Sequence, residues 1–234
     1  MDPSRSVDGL PLSDGRALPF RDRRDAGRQL ALRLVPLGLE YPVVLGLARG
    51  GVPVAAEVAA SLGSPLEVFV ARKVGAPGHE ELGIGAVAEG LVGAIISDRA
   101  GELGISAADL QALAVPARHE LERRVVLYRG DRPLPSLAQR DVVLVDDGLA
   151  TGITAEAALR AVRAQGPNRL VLAVPVCSPG TSTRLSGVAD DVVCNHVPAR
   201  FLAVGHWYTN FAQTTDDEVL ELLGRARPGG EPTR

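Results

Sequence analysis

Aromatic residues are scarce in this chain: 3% of 234 residues, comprising one Trp, three Tyr and four Phe. A core here has to be built from aliphatic side chains. Cysteine is almost as rare. Cys177 and Cys194 form no C-x-x-C, and the four histidines are scattered. This excludes a disulfide scaffold and a Cys/His metal centre as the organising feature, and both thiols read as buried structural residues. No apolar run approaches the ~18 residues of a membrane-spanning helix. A basic excess is also missing. Lys+Arg number 25 against 28 Asp+Glu, the net charge is −3, and this excludes the cationic face that nucleic-acid binding uses. Residues 1–20 lack the apolar core of a secretion signal, so a cytoplasmic protein is expected. Lysine itself is nearly absent, Lys73 being the single one among the cations.

What is present is 46% hydrophobic residues, enough for a full core in one domain. We expect a domain over 20–224, with tails at 1–19 and 225–234 and a variable segment near 197–215. Apolar runs at 43–47, 66–70, 142–145, 170–176 and 191–195 read as strands. Helical patterns fall at 21–35, 54–62, 155–165 and, more briefly, 181–185. The alternation predicts an α/β fold, an open and mainly parallel twisted sheet with helices on both faces. Ser106 and Asp109 have the spacing of a capping box for a helix running to about Tyr128, interrupted at Pro116. Thr215 to Glu218 is a second such box, opening a helix to about Leu223. Residues 71–90, with five glycines, are expected to form a long mobile loop or loose hairpin. Residues 92–96 are strand-like, and the chain from Pro228 on reads as a frayed tail.

The most informative stretch is 142–154, Val-Val-Leu-Val-Asp-Asp-Gly-Leu-Ala-Thr-Gly-Ile-Thr. A buried strand cannot contain carboxylates, so Asp146 and Asp147 belong at its carboxyl end, where open α/β sheets bind ligands. The turn that follows offers backbone N–H groups, the Thr151 and Thr154 hydroxyls and a helix N-terminus, all suited to an anion. It is not a Walker A loop, because Ile153 stands where the lysine belongs. Acids precede its glycines, so it is not a dinucleotide-binding turn either.

Three further segments draw attention. Arg49-Gly50-Gly51 follows the first strand and opens a helix, with a forked cation and a backbone that can approach a ligand closely. Arg72 and Lys73 stand at the mouth of the glycine-rich segment. Phe201, Trp207, Tyr208 and Phe211 gather half of all the aromatics into eleven residues, as a satellite core or as a stacking surface. His79, Glu80 and Glu81 read as surface charges.

The 142–154 stretch resembles the diphosphosugar-binding signature of the type I phosphoribosyltransferases, in which a hydrophobic strand and two acids lead into Thr-Gly-x-Thr. The chain as a whole is similar to a bacterial group of predicted phosphoribosyltransferases over about residues 20–223. The resemblance implies transfer of a 5-phosphoribosyl group from phosphoribosyl diphosphate to a nitrogen acceptor, a nucleobase in particular, with diphosphate released. Asp146 and Asp147 would bind the ribose hydroxyls and, mostly through substrate and water, Mg²⁺. Gly148 and Ala150, Thr151, Gly152, Ile153 and Thr154 would line the 5-phosphate cradle. Arg49, Gly50 and Gly51 would form the diphosphate loop, often built on a non-prolyl cis peptide. Arg72 and Lys73 would fold over the diphosphate from the mobile segment. Residues 197–215 would form a hood, with Trp207 and Tyr208 against the acceptor. The catalytic set would be Asp146, Asp147, Lys73 and Arg49. Enzymes acting on 6-oxopurines usually carry an acid where this chain has Ala150, which points away from hypoxanthine and guanine. A homo-oligomer, a dimer, is implied as well. The alternatives are a regulatory protein that binds the diphosphosugar as an effector, and a diphosphokinase-like relative.

Overall fold

A computed structural model describes residues 20–226, except for the side chains of Glu80 and Glu81. The expected tails at 1–19 and from Pro228 lie outside them. Five strands, β1 (Val43–Leu47), β2 (Leu66–Phe69), β6 (Asp141–Val145), β7 (Arg169–Val176) and β8 (Asp191–His196), form one sheet in the order β2-β1-β6-β7-β8. Every pairing in it is parallel. β1 and β6 are buried along their whole length, which explains why both read as unbroken apolar runs.

Helices cover both faces. Helices α1 (Arg23–Leu34), α2 (Gly51–Leu62) and α8 (Asp216–Arg225) contribute to a core with Val44, Val143 and Val145. The other face packs Val43, Leu45, Val142 and Leu144 against α6 (Ile153–Arg163) and Leu185 of α7 (Pro179–Leu185). The alternation of side chains along each strand sorts the two sets. From β1 the chain moves outward to β2 in one direction, and from β6 to β7 and β8 in the other. The order therefore switches between β1 and β6, and the carboxyl ends of these two strands open the crevice where such sheets take ligands.

Of the two forms expected for residues 71–90, a mobile loop or a loose hairpin, the hairpin is the one present, and it is regularly paired: β3 (Ala71–Ala76) with β4 (His79–Ala88), joined at its far edge by the two-residue β5 (Ile95–Ile96). Register shifts around Gly75 obscure the period-two pattern that would have shown it. Gly85 serves packing there: a Cβ on it would lie 2.5 Å from Ile95 O and 2.9 Å from Leu110 Cδ1. The helix expected from Ser106 onward is two helices, α4 (Ala107–Leu113) and α5 (Val115–Arg129), with Pro116 in the first turn of α5. A short helix, α3 (Asp98–Glu102), precedes them. Ser106 and Asp109 do form a reciprocal capping box.

A buried ion pair anchors the hairpin. Arg129 Nη1 donates to Val68 O and to Glu89 Oε1, each at 3.0 Å, and Arg129 Nη2 pairs with Glu89 Oε2. Glu89 Oε1 also accepts from Val70 N at 3.0 Å. Cys177 and Cys194 lie in adjacent segments with their Sγ atoms 2.8 Å apart, Cys177 buried and Cys194 half-buried. Among the described residues no helix is long and apolar enough to cross a membrane.

Candidate active site

At the end of β6 the apolar run stops and Asp146 and Asp147 emerge into the crevice, both half-buried. Asp146 Oδ1 accepts the Asp147 N–H at 2.9 Å. Burial, and then the neighbouring Asp147, push the Asp146 carboxyl well above the usual carboxylate range. Asp147 is also raised by burial, and Arg23 offsets part of that.

Arg23 is the partner that sequence reasoning missed. Its Nε and Nη2 both reach Asp147 Oδ2 at 2.8 Å. Its Nη1 donates to Ala212 O at 2.6 Å, and its guanidinium lies 3.9 Å above the Phe211 ring. Nothing in the local sequence singles it out, since it sits among several charged residues that open an amphipathic helix. Tyr208 adds a further tie, its hydroxyl donating to Asp147 O at 2.6 Å while its ring stacks on Phe211.

The loop after β1 runs directly into these acids. The Ala48–Arg49 peptide is cis. A Cβ on Gly50 would overlap Asp147 Oδ2 and lie 2.8 Å from its Cγ, and one on Gly51 would lie 2.5 Å from Val145 O. Only glycine lets this loop pass so close to β6. Arg49 leans the other way, its Nη1 lying 3.7 Å from Asp216 Oδ1 at the start of α8. That same oxygen accepts the Tyr128 hydroxyl at 2.5 Å.

On the far side of Asp147 the chain turns through Gly148 and Ala150 to Gly152, whose φ of 67° and ψ of 9° place it in the left-handed region as the N-cap of α6. α6 starts at Ile153, so Ile153 and Thr154 form its first turn, whose N–H groups have no intrahelical acceptor. The carbonyl side of this turn is braced from α7. Ala150 O accepts Thr181 Oγ1 at 2.7 Å and Ser178 Oγ at 3.0 Å, and Thr151 O accepts Arg184 Nη2 at 2.5 Å. With its carbonyls held from outside, the turn is shaped to present N–H groups to an anion.

One expected grouping comes apart. Arg72 and Lys73 are consecutive in β3, so they point to opposite faces of the hairpin. Arg72 goes with α5, where its Nη1 meets Glu120 Oε1 at 3.3 Å. Lys73 is exposed and pairs in register with Ala86, on the face that packs toward α6, its aliphatic stem lying over Gly83. The aromatic segment stays largely together. Tyr208 packs with Phe20 and Ala26 in a satellite core, and the partly exposed Trp207 and Phe211 pack against it, Trp207 also stacking at 5.4 Å on His196.

This arrangement has counterparts. A family model described as "Phosphoribosyl transferase domain" matches residues 24–208, most of the chain. The chain belongs to the phosphoribosyl transferase domain family. The domain is 49% identical over 207 residues to Mycobacterium tuberculosis proteins of strains CDC 1551/Oshkosh and ATCC 25618/H37Rv, each named "Putative phosphoribosyl transferase". That alignment covers 88% of this chain and 47% of theirs, so the chain spans about half the length of the curated relatives it matches. Among solved structures, the protein TT1426 from Thermus thermophilus superposes on this phosphoribosyl transferase domain with a TM-score of 0.74 at 49% identity, covering 88% of this chain and 98% of that one.

Proposed function

We propose that this phosphoribosyl transferase domain moves the 5-phosphoribosyl group of phosphoribosyl diphosphate onto a nitrogen acceptor, a nucleobase in the first instance, releasing diphosphate. The observation that carries this is the abutment of the Gly50–Gly51 loop on Asp147 at the β1/β6 switch point. A backbone-lined anion loop, two carboxylates and a helix N-terminus meeting at one switch point support a diphosphosugar as the ligand.

In this reading Asp146 and Asp147 hold the ribose 2- and 3-hydroxyls, and the turn 150–154 holds the 5-phosphate. Arg49 and the Gly50 and Gly51 amides take the charge that develops on the leaving diphosphate. The C1–O bond breaks, the acceptor nitrogen supplies the electron pair for the new C1–N bond, and the nitrogen then loses a proton. Asp146 and Asp147, once ionised, stabilise the cationic character at C1 in the transition state. Lys73, on the α6 face of the hairpin, is assigned to the phosphate-bearing side of the donor. Residues 197–215 are assigned as the acceptor hood, with Trp207 its half-exposed aromatic face and Tyr208 its support.

Mg²⁺ fits this donor set as a substrate-borne ion. Among the described residues no group of three or more His, Cys, Asp or Glu gathers to hold a metal, while two adjacent carboxylates suit an ion held mainly by phosphate, hydroxyl and water. When bound it would neutralise diphosphate charge.

The test is a panel of nucleobases and other amines with phosphoribosyl diphosphate and Mg²⁺, read by diphosphate release. Release with at least one acceptor is expected. Calorimetry on Asp146→Asn with Asp147→Asn should show donor binding lost with the fold intact, and unchanged affinity would overturn the reading. Donor binding without release by any acceptor would favour a regulatory role instead.

A further inference from the structure

Beyond Arg49 the crevice wall carries an array of cations that the proposed chemistry does not use. Glu120, in the second turn of α5, is surrounded by three guanidinium groups. Arg123 Nε lies 2.7 Å from Oε2, Arg124 Nε 2.9 Å from Oε1, and Arg72 Nη1 3.3 Å from Oε1. Arg123 and Arg124 hold Glu120 down to about 2, far below the usual carboxylate range. A fourth cation adjoins. Tyr128, one helical turn after Arg124, donates to Asp216, which also faces Arg49. Arg72 itself is drawn below the ordinary arginine range, first by burial, then by repulsion from Arg124 and, more weakly, from Arg123 and Arg49. Four arginines thus gather here, and among the described residues the acids paired with them are Glu120 and Asp216.

The location matters as much as the charge. Arg49 follows β1 and Arg72 follows β2, so both stand at the carboxyl edge of the sheet that also carries Asp146 and Asp147. Local pairing along α5 needs one acid for one base, and three arginines on one carboxylate exceed what helix stability calls for. A planar, forked guanidinium is the group that best matches phosphate oxygens.

We propose that Arg72, Arg123 and Arg124 form an anion basin that continues the Arg49 loop and receives the diphosphate, with the Glu120 carboxylate as a built-in stand-in that the diphosphate displaces. The inference rests on the donor assignment above for its physiological ligand, although the basin itself can be probed without any sugar. Diphosphate carries more charge and more oxygens than one carboxylate, so it can engage all three guanidiniums in full, where Glu120 meets Arg123 through two nitrogens but Arg124 and Arg72 through one each. On binding, Glu120 swings toward solvent, which its partial exposure permits. Ground-state repulsion among the arginines then becomes attraction for the departing group.

The experiment is calorimetric titration of the full chain with inorganic diphosphate, alone and with Mg²⁺, at two salt concentrations. Glu120→Gln should tighten diphosphate binding several-fold and make it more sensitive to salt, because a competing anion is gone. Arg124→Gln and Arg123→Gln should each weaken it about tenfold, as expected for loss of a charge-assisted contact. Arg123 is more than half exposed, so its variant decides the matter even if Arg124→Gln or Glu120→Gln fails to fold. If diphosphate responds to Glu120 and Arg123 as stated but phosphoribosyl diphosphate does not bind, the basin stands and the donor assignment falls. Phosphoribosyl diphosphate binding, with diphosphate affinity indifferent to both Glu120→Gln and Arg123→Gln, overturns the basin and leaves the donor assignment intact.

Discussion

Arg23 and Asp147 lie 124 positions apart in sequence, yet two nitrogens of the one share a single oxygen of the other at 2.8 Å. The pair keeps a carboxylate in a desolvated crevice partly compensated before any ligand arrives. Arg23 lowers the Asp147 carboxyl against the upward push of burial. Removing it in Arg23→Gln should therefore raise Asp147 further. If donor binding needs the ionised acid, the acid limb of the affinity profile moves to higher pH, and affinity at neutral pH falls. Calorimetry across the acid-to-neutral range tests this, and a limb that does not move rules out the role.

Asp146 makes the opposite trade. Its native carboxyl is raised above the ordinary 3.8, so the folded state holds a proton that the unfolded chain releases. Stability is therefore lost as pH rises from the unfolded value through the raised native one, and the full cost is present above that. Asp146→Asn removes the cost. The variant should melt higher at neutral pH, by about 2–4 °C for each kcal/mol regained. The gain should fade as pH falls through the native value, while donor binding is lost throughout. Equal melting at neutral pH would refute the account.

Gly50 has φ −62° and ψ −31°, angles that alanine adopts freely. The main obstacle to Gly50→Ala is Asp147, whose carboxylate occupies the space a methyl group needs, with Arg23 Nε 3.3 Å away as a lesser one. Gly50→Ala should lower the melting temperature and weaken donor binding by at least about tenfold, or ~1.4 kcal/mol. Gly50→Ala with Asp147→Ala should recover melting and not binding. A single variant that behaves as wild type would remove the steric argument.

The Arg129–Glu89 pair is nearly dry, with side chains 5% and 10% exposed, and it ties α5 to β2 and to the end of the hairpin. Arg129→Met should cost about 3–5 kcal/mol, because it strands a buried carboxylate. Arg129→Met with Glu89→Leu should cost much less. Denaturant midpoints at constant slope distinguish the two cases.

The sheet was legible because β1 and β6 are buried on both faces and so read as uninterrupted apolar runs. Asp146 and Asp147 stood out for the same reason, as charge where a buried strand must end. The hairpin was legible only as an alternative to a mobile loop, because register shifts at Gly75 break its period and Gly83 and Gly85 pack tightly where glycine usually signals freedom. Arg23 and Asp216 were invisible because their meaning lies in partners far along the chain, and for Glu120 local spacing shows only Arg123 and Arg124, not Arg72. Arg72 and Lys73 looked like one unit in sequence, and the pleat of a strand divides them.

Phe20 N donates to Trp207 O and Thr209 N to Phe20 O, lacing the first described residue to the segment after β8. Asp147 lies between these two stretches in sequence, yet it takes its cation from Arg23 and its hydroxyl tie from Tyr208. The pocket therefore closes like a clasp. During synthesis a chain that has emerged only as far as β8 has both acids but neither Phe211 nor Tyr208 to seat Arg23 against them. Maturation of the binding crevice then waits for the last aromatics to leave the ribosome, long after the central sheet has its strands.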